Sequence, residues 1–448
     1  MTSSRLRTAI LAAMAATFLT SCALLDRDRE EREAAEAADR EGRIEMVLND
    51  AALEVDPDLA ATPVDLPEVV ALASWGQAGG QSSKAVGHVA GGEAFDIAWR
   101  RDAGAGSNSR SALTTPPVTN ESAIFTIDSN QRVTAFNIAS GNRLWSKTLK
   151  SGRRRDGTSI GSGIAVEDEA LIVASGFGFV TMLDASTGDE VWRVDTDAPM
   201  TGSPTIKDNR VFVSSNNNEV FALDLETGDV LWTDQAIAEP ARVLSSPSPA
   251  AVEDIVVAPY SSGEIIAYLA NNGRRLWDEA LTSPGQFTPI SAINDIGARP
   301  VLAGGLVFAA SQSGIMAAID GRTGTRVWQQ PIGSIQAPAI VGQYLFIVSV
   351  DAQLVCINAG TGQVFWVTDL RAHKDQKKKK GRITYSGPIV ASGKIVLASS
   401  RGDLLAFDPQ TGEEIDRLKL GDPVYIEPIA VQDKLLLLTD DAKLIAVR

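Results

Sequence analysis

From about residue 93 to the C-terminus the chain is a succession of short stretches in which apolar and polar residues alternate, as in Glu219-Val-Phe-Ala-Leu-Asp224, separated by Gly, Pro, Asn and Asp. Alternation with a period of two predicts half-buried β-strands, and the residues between them predict tight turns.

The stretches repeat. Seven of the eight tryptophans, Trp99, Trp145, Trp192, Trp232, Trp277, Trp328 and Trp366, stand 38 to 51 residues apart, and Asp416 falls in the same frame after Trp366. Four residues before each position from Trp145 onward is a glycine: Gly141, Gly188, Gly228, Gly273, Gly324, Gly362 and Gly412. Four residues earlier again come Asn137, Asp184, Asp224, Leu269, Asp320, Asn358 and Asp408. The unit is a strand, a tight turn with Thr-Gly, and a strand ending in Trp. Gly supplies the positive φ of the turn, and Asp or Asn accepts hydrogen bonds from its amides.

Two more apolar runs precede this unit, for example Ser203-Pro-Thr-Ile206 and Val211-Phe-Val-Ser214, which makes four strands per repeat. First strands begin at Pro117, Gly163, Pro204, Pro249, Pro300, Pro338, Pro388 and Pro428. A period of about 45 residues with four strands is that of a propeller blade. The predicted fold is therefore all-β, an eight-bladed β-propeller of four-stranded antiparallel blades. Its last repeat stops at Arg448 after the third strand, Lys443 to Arg448, whereas Phe95-Asp-Ile-Ala-Trp99 has the Trp but no strand before it. The N-terminal strand is thus expected to complete blade 8 and close the ring.

The N-terminus reads differently. Arg5 and Arg7 precede an apolar run from Ala9 to Leu19, about half of what a spanning helix needs, so residues 1–21 read as a signal peptide. The run ends in Leu19-Thr20-Ser21-Cys22, which resembles the bacterial lipobox. That resemblance implies acylation of Cys22 and a lipid anchor, and Ala23 in place of Asp favours the outer membrane. Residues 26 to 45 mix Asp, Glu, Arg and Ala with few large apolar groups, and Pro57, Pro63 and Pro67 follow. Residues 22–92 are accordingly expected to be a polar tether and N-terminal segment, with regular structure beginning near residue 93 and the propeller occupying 93–448.

Composition removes several function classes. The formal charge of the 448-residue chain is -15, which opposes binding to nucleic acid. Two Cys and two His are too few for a Cys-based zinc site, a haem attachment pair or a disulfide framework. Cys356 aligns with Ala135, Ala222, Ala318 and Ala406 and is expected to be a buried, inert thiol. Gly157-Thr-Ser159-Ile-Gly161 matches a nucleophile elbow but lacks the strand-to-helix context and a His base, since only His88 and His373 exist. Gly176-Phe-Gly178 lacks the third glycine of a dinucleotide site. No catalytic residue, metal site or cofactor is assigned.

The blade composition, as in Ala222-Leu-Asp224, Thr227-Gly228 and Trp232, resembles the quinoprotein-type repeat, in which the Trp and the Thr-Gly turn pack neighbouring blades together. Exported quinone-dependent dehydrogenases share that repeat and are the alternative reading. Against them stand eight blades in about 350 residues, with little left for cofactor-covering insertions, and the lack of a vicinal Cys pair. A freestanding sensor or carbohydrate-binding propeller is a third. Across the whole chain, Cys22, the tether, Trp75-Gly76 to His88 and the closed eight-bladed ring resemble the propeller lipoproteins of the outer-membrane β-barrel assembly machinery. The resemblance implies a noncatalytic scaffold at the periplasmic face of the outer membrane, monomeric within a hetero-complex, whose loops bind periplasmic domains of the barrel insertase.

Propeller geometry places those loops. In a four-stranded meander, connections between blades emerge on the same face as the turn between the second and third strands. The longest are Thr233 to Ser248, Asp278 to Arg299 and Val367 to Gly387. The first carries Glu239, Arg242, Val243 and Leu244, and the second Asn294, Asp295 and Arg299, a mixture that suits a protein interface. By the resemblance, Arg242, Leu244 and Asp295 are the positions matching insertase contacts. The third carries His373, Lys374 and the run Lys377 to Lys380, which reads as a solvated loop or as a contact to lipid headgroups or an acidic partner.

Overall fold

In the computed structural model, which describes residues 53–60, 62–151, 161–196, 198–237, 247–282 and 295–448, each repeat folds into one antiparallel four-stranded sheet. Blade 2 is typical, with strands Ser162–Glu167, Ala170–Ser175, Phe179–Asp184 and Glu190–Asp195 from the axis outward. The other blades span residues 118–148, 205–235, 250–280, 301–330, 339–369 and 385–419, and blade 8 is 429–447. The second strand of blade 2 is buried at every position, whereas its outer strand Glu190–Asp195 is largely exposed. The middle of each blade is covered on both faces by its neighbours, which is why those strands are continuous apolar runs.

The hydrophobic core is therefore a ring of layers between blades. Phe125 and Ala135 of blade 1 pack on Ile164 and Val173 of blade 2, and Phe346 and Cys356 of blade 6 pack on Val390 and Leu397 of blade 7. Each layer is fastened at its outer edge by the repeated Trp. The indole of Trp145 donates to Ala185 O of the next blade (2.9 Å), and its ring lies on Gly188, where a methyl group would come within 2.8 Å. Trp192, Trp232, Trp277, Trp328 and Trp366 repeat both contacts around the ring. Opposite each Trp across its own sheet is a small or slender residue, Ala135, Met182, Ala222, Ala267, Ala318 or Cys356, followed by a one-residue bulge. The turn chemistry is as expected. Asp184 Oδ1 accepts from the amides of Ser186 and Thr187 (2.9 Å each), and these bonds with the Ser186 hydroxyl hold its carboxyl below the usual range.

Closure follows the predicted route. Ile97–Asp102 pairs antiparallel with Lys443–Val447 as the outer strand of blade 8, with Trp99 opposite Ala446 and the bulge in the same place. Trp99 then stacks on Gly141 of blade 1. Asp96 and Arg448 seal the corner through two hydrogen bonds of 2.7 and 2.9 Å. Blade 8, built from both chain ends, has no Thr-Gly turn, and the blade facing that gap is the one with Asp416 in place of Trp.

The N-terminal segment departs from the expected tether. Residues 53–60 and 62–67 lie against blade 6: Val55 bridges Val364, Asp56 N donates to Val364 O (2.9 Å), and Phe365 is buried beside Leu59, Val64 and Leu66. The chain then makes one circuit of the axis, bonding to inner strands at the ends that lead to the second strand. Leu72 O accepts from Gln432 of blade 8, Trp75 exchanges two bonds with Thr119 of blade 1, and Gly76 O accepts from Val166 of blade 2. Gln77 Oε1 accepts from Ile206 of blade 3, Ser82 O from Ala251 of blade 4, and Ser83 O from Leu302 of blade 5. Ala85 packs between blades 5 and 6, and Val89 bonds to Val390 and Ser392 of blade 7. His88 clamps the circuit: it accepts from Gly393 N at Nε2 (2.8 Å), so Nδ1 carries the proton donated to Pro67 O (2.7 Å). One end of the axis is plugged.

Lys84 lies inside the plug, 4% exposed, donating to Thr205 Oγ1 (2.8 Å). Burial holds its pKa well below the ordinary lysine value, Arg299 lowers it further, and Glu427 partly offsets this.

Three outcomes test this architecture. Gly188→Ala, which combines positive φ with contact against Trp145, should cost about 2 to 4 kcal/mol in urea unfolding, whereas Gly393→Ala, with positive φ but open space, should cost only about 1 kcal/mol. Deleting residues 93–101 should lower the melting temperature by more than about 10 °C, and an unchanged cooperative melt would show that blade 8 stands on three strands. Because folded Lys84 binds a proton less readily than unfolded lysine, stability should rise with pH from the folded pKa up to about 10.4. Lys84→Met should lack that component, and parallel pH profiles for the two proteins would show that Lys84 stays charged.

Candidate functional site

The two faces of the ring are unlike. On the plugged face the chain itself occupies the axis. On the other, described residues of the connections between blades line an axial cavity of about 430 Å³ whose floor includes Ala78 of the plug. Inner strands begin at this face, so the residues just before them line the cavity: Leu113 and Thr114 before blade 1, Ala298 and Arg299 before blade 5, Ala337 before blade 6, and Ile426 and Glu427 before blade 8. Tyr385 and the exposed Tyr425 also line it.

One ion pair spans the cavity. Arg299 Nη2 donates to Glu427 Oε2 at 2.5 Å, with both side chains mostly buried, and Gly79 of the plug sits against the Arg299 guanidinium. A pair held this way from blades 5 and 8 orders the floor, because removing either partner leaves a buried charge uncompensated. Arg299, expected on an interface loop, is thus part of the axial lining. Asp295 is 4% exposed at the base of the same connection, and its carbonyl accepts from Gln312 N (3.1 Å). Arg242, Val243 and Leu244 lie outside the described residues, as do Cys22, Gly157 and Ser159.

The third connection, expected as a loop, is an ordered hairpin. His373–Asp375 pairs with Lys380–Arg382. Arg371 braces it by donating to His373 O and Lys374 O (3.1 and 2.6 Å), Arg382 reaches Val350 O of blade 6, and Tyr385 Oη donates to Arg371 O (3.0 Å). The base of the hairpin therefore stands on a residue of the cavity wall. The plug was not expected either; the signal available for it was the apolar content of the segment, with Val64, Leu66, Val69, Val70, Leu72, Trp75, Val86 and Val89.

The chemistry available at the cavity is limited. Among the described residues no group of three His, Cys, Asp or Glu is placed to hold a metal ion. A polyanionic quinone does not fit the residues present: Arg299 is already paired, and Glu427 and Asp440 add carboxylates to the same wall. Cys356 is fully buried, and burial raises its thiol pKa far above the ordinary value, so it is unreactive as expected.

Comparison with known proteins places the chain. It is 22% identical to the outer membrane protein assembly factor BamB of Moranella endobia (strain PCIT) over 335 residues, 74% of this chain and 84% of that one. Among solved structures, BamB from Moraxella catarrhalis superposes with a TM-score of 0.63 at 19% identity, covering 77% of this chain and 98% of that one. Quinohemoprotein alcohol dehydrogenase from Comamonas testosteroni superposes with a TM-score of 0.64 at 13% identity, covering 88% and 82%, a likeness of fold alone. The family model described as outer membrane protein assembly factor BamB matches residues 129–368, more than half of the chain, and the chain belongs to that family.

Proposed function

We propose that this chain is a noncatalytic scaffold in the assembly of outer-membrane proteins, anchored through acylated Cys22 at the periplasmic face of the outer membrane. The observation that carries this reading is the asymmetry of the ring: one end of the axis is sealed by the chain's own N-terminal segment, and the other opens into a cavity lined by residues that precede the inner strands. A sealed ring with a fixed floor offers a rigid platform to a protein partner. Membership of the BamB family supports the assembly role.

The partner in this reading is the barrel insertase, bound through its periplasmic domains. Arg242, Val243 and Leu244 on the first connection supply the contacts. Asp295, buried, and Arg299, paired with Glu427, fix the base of the second connection. Arg is among the residue types whose truncation costs most at the fully desolvated centre of an interface.

The test is affinity capture of the full lipidated protein from detergent-solubilised envelope. The insertase should be recovered with it, and recovery should fall about tenfold or more with Arg242→Ala combined with Leu244→Ala. Recovery of the protein alone would overturn the scaffold reading.

A further inference from the structure

Between Arg371 and Arg382 the chain carries seven cationic side chains, Arg371, Lys374, Lys377 to Lys380 and Arg382, against one carboxylate, Asp375. That carboxylate is engaged, accepting from the amide of Lys378 (3.0 Å). Among the described residues none of the five lysines is paired with a carboxylate, and all are exposed. Paired strands and the two braces from Arg371 hold these charges together in space. Holding like charges together is unfavourable unless something of opposite sign meets them.

The hairpin stands beside the axial cavity, joined to it through Tyr385. Leu113, Ala337 and Ile426 supply apolar surface to the cavity lining, and the exposed Tyr425 lines it too. Its volume of about 430 Å³ is that of a pocket for a single ligand group, and the plug closes it from behind.

We infer that the hairpin and the cavity together form a docking site for a short, extended acidic segment of a partner protein, with a bulky apolar side chain seated in the cavity. The rest of the molecule decides the class of partner. With a formal charge of -15 on the chain, a flat anionic membrane or a long polyanion would meet repulsive carboxylates beyond the hairpin. A short segment stays within the hairpin's own field, which salt confines to about 8 Å. A flat lipid surface also cannot enter the cavity. The inference rests on the hairpin and cavity alone and stands apart from the scaffold reading.

The experiment uses the full chain and a fluorescein-labelled peptide with a run of glutamates followed by paired phenylalanines, followed by anisotropy at low salt. The peptide should bind, and affinity should fall at least about tenfold when Lys377→Ser, Lys378→Ser, Lys379→Ser and Lys380→Ser are combined. It should be retained when the same four positions become Arg, and it should fall when the phenylalanines of the peptide are replaced by serine. Unchanged affinity in the Ser variant, with a wild-type thermal melt, would overturn the inference. So would indifference to loss of the phenylalanines. Lysine-dependent binding to phosphatidylglycerol vesicles with no binding of the peptide would overturn it in favour of a lipid contact. Recovery of the insertase by capture is a separate result that none of these outcomes predicts.

Discussion

A sheet that is apolar on both faces has to be covered on both faces, and every blade here is such a sheet. The contact that meets this requirement is the Trp of one blade lying on the turn glycine of the next, with its indole N–H bonded to the neighbouring backbone. It places a large hydrophobic surface and a directional bond at the same spot, so it sets both spacing and angle between blades. The small residue across the sheet from each Trp follows from the same packing, since the ring needs room on its own blade as well. Cys356 is an instance of that room and needs no chemical explanation.

Where the pattern breaks, the break has a cause in the ring. Asp416 stands where a Trp would have no glycine turn to rest on, because blade 8 is assembled from the two ends of the chain. Trp99 restores the pattern on the other side of that blade by resting on Gly141. The two exceptions are one feature: a circular structure made from a linear chain must place its seam somewhere.

The ring, its blade number and its seam were legible in the sequence because each rests on a local signal that recurs. Asp184, Gly188 and Trp192 are readable from one repeat and confirmed by the next. The plug was not legible, for a physical reason. Trp75, Gln77, Ser82 and Val89 pair with strands of four different blades, 1, 3, 4 and 7, so they have neither the period of a strand nor that of a helix. Their hydrogen-bond partners exist only once the ring exists. For the candidate site, the face of the long connections could be derived from strand topology, but the placing of Arg299 against Glu427, 128 residues away, could not. The hairpin at Lys377 to Lys380 was visible as charge and not as structure, since its bracing comes from Arg371 and Val350 O.

The plug also bears on how the chain reaches its native state. Its residues are among the first to be synthesised, yet their acceptors and donors lie on every blade as far as Gln432 and Asp433. Contacts of such sequence separation form late, after much loop-closure entropy has been lost. The earliest part of the polypeptide therefore waits for the latest, and until the final blade arrives the inner ends of all the finished ones remain unsatisfied. An incomplete ring is thus exposed both at its rim and at its hub, the condition in which partly folded chains of this size are prone to aggregate.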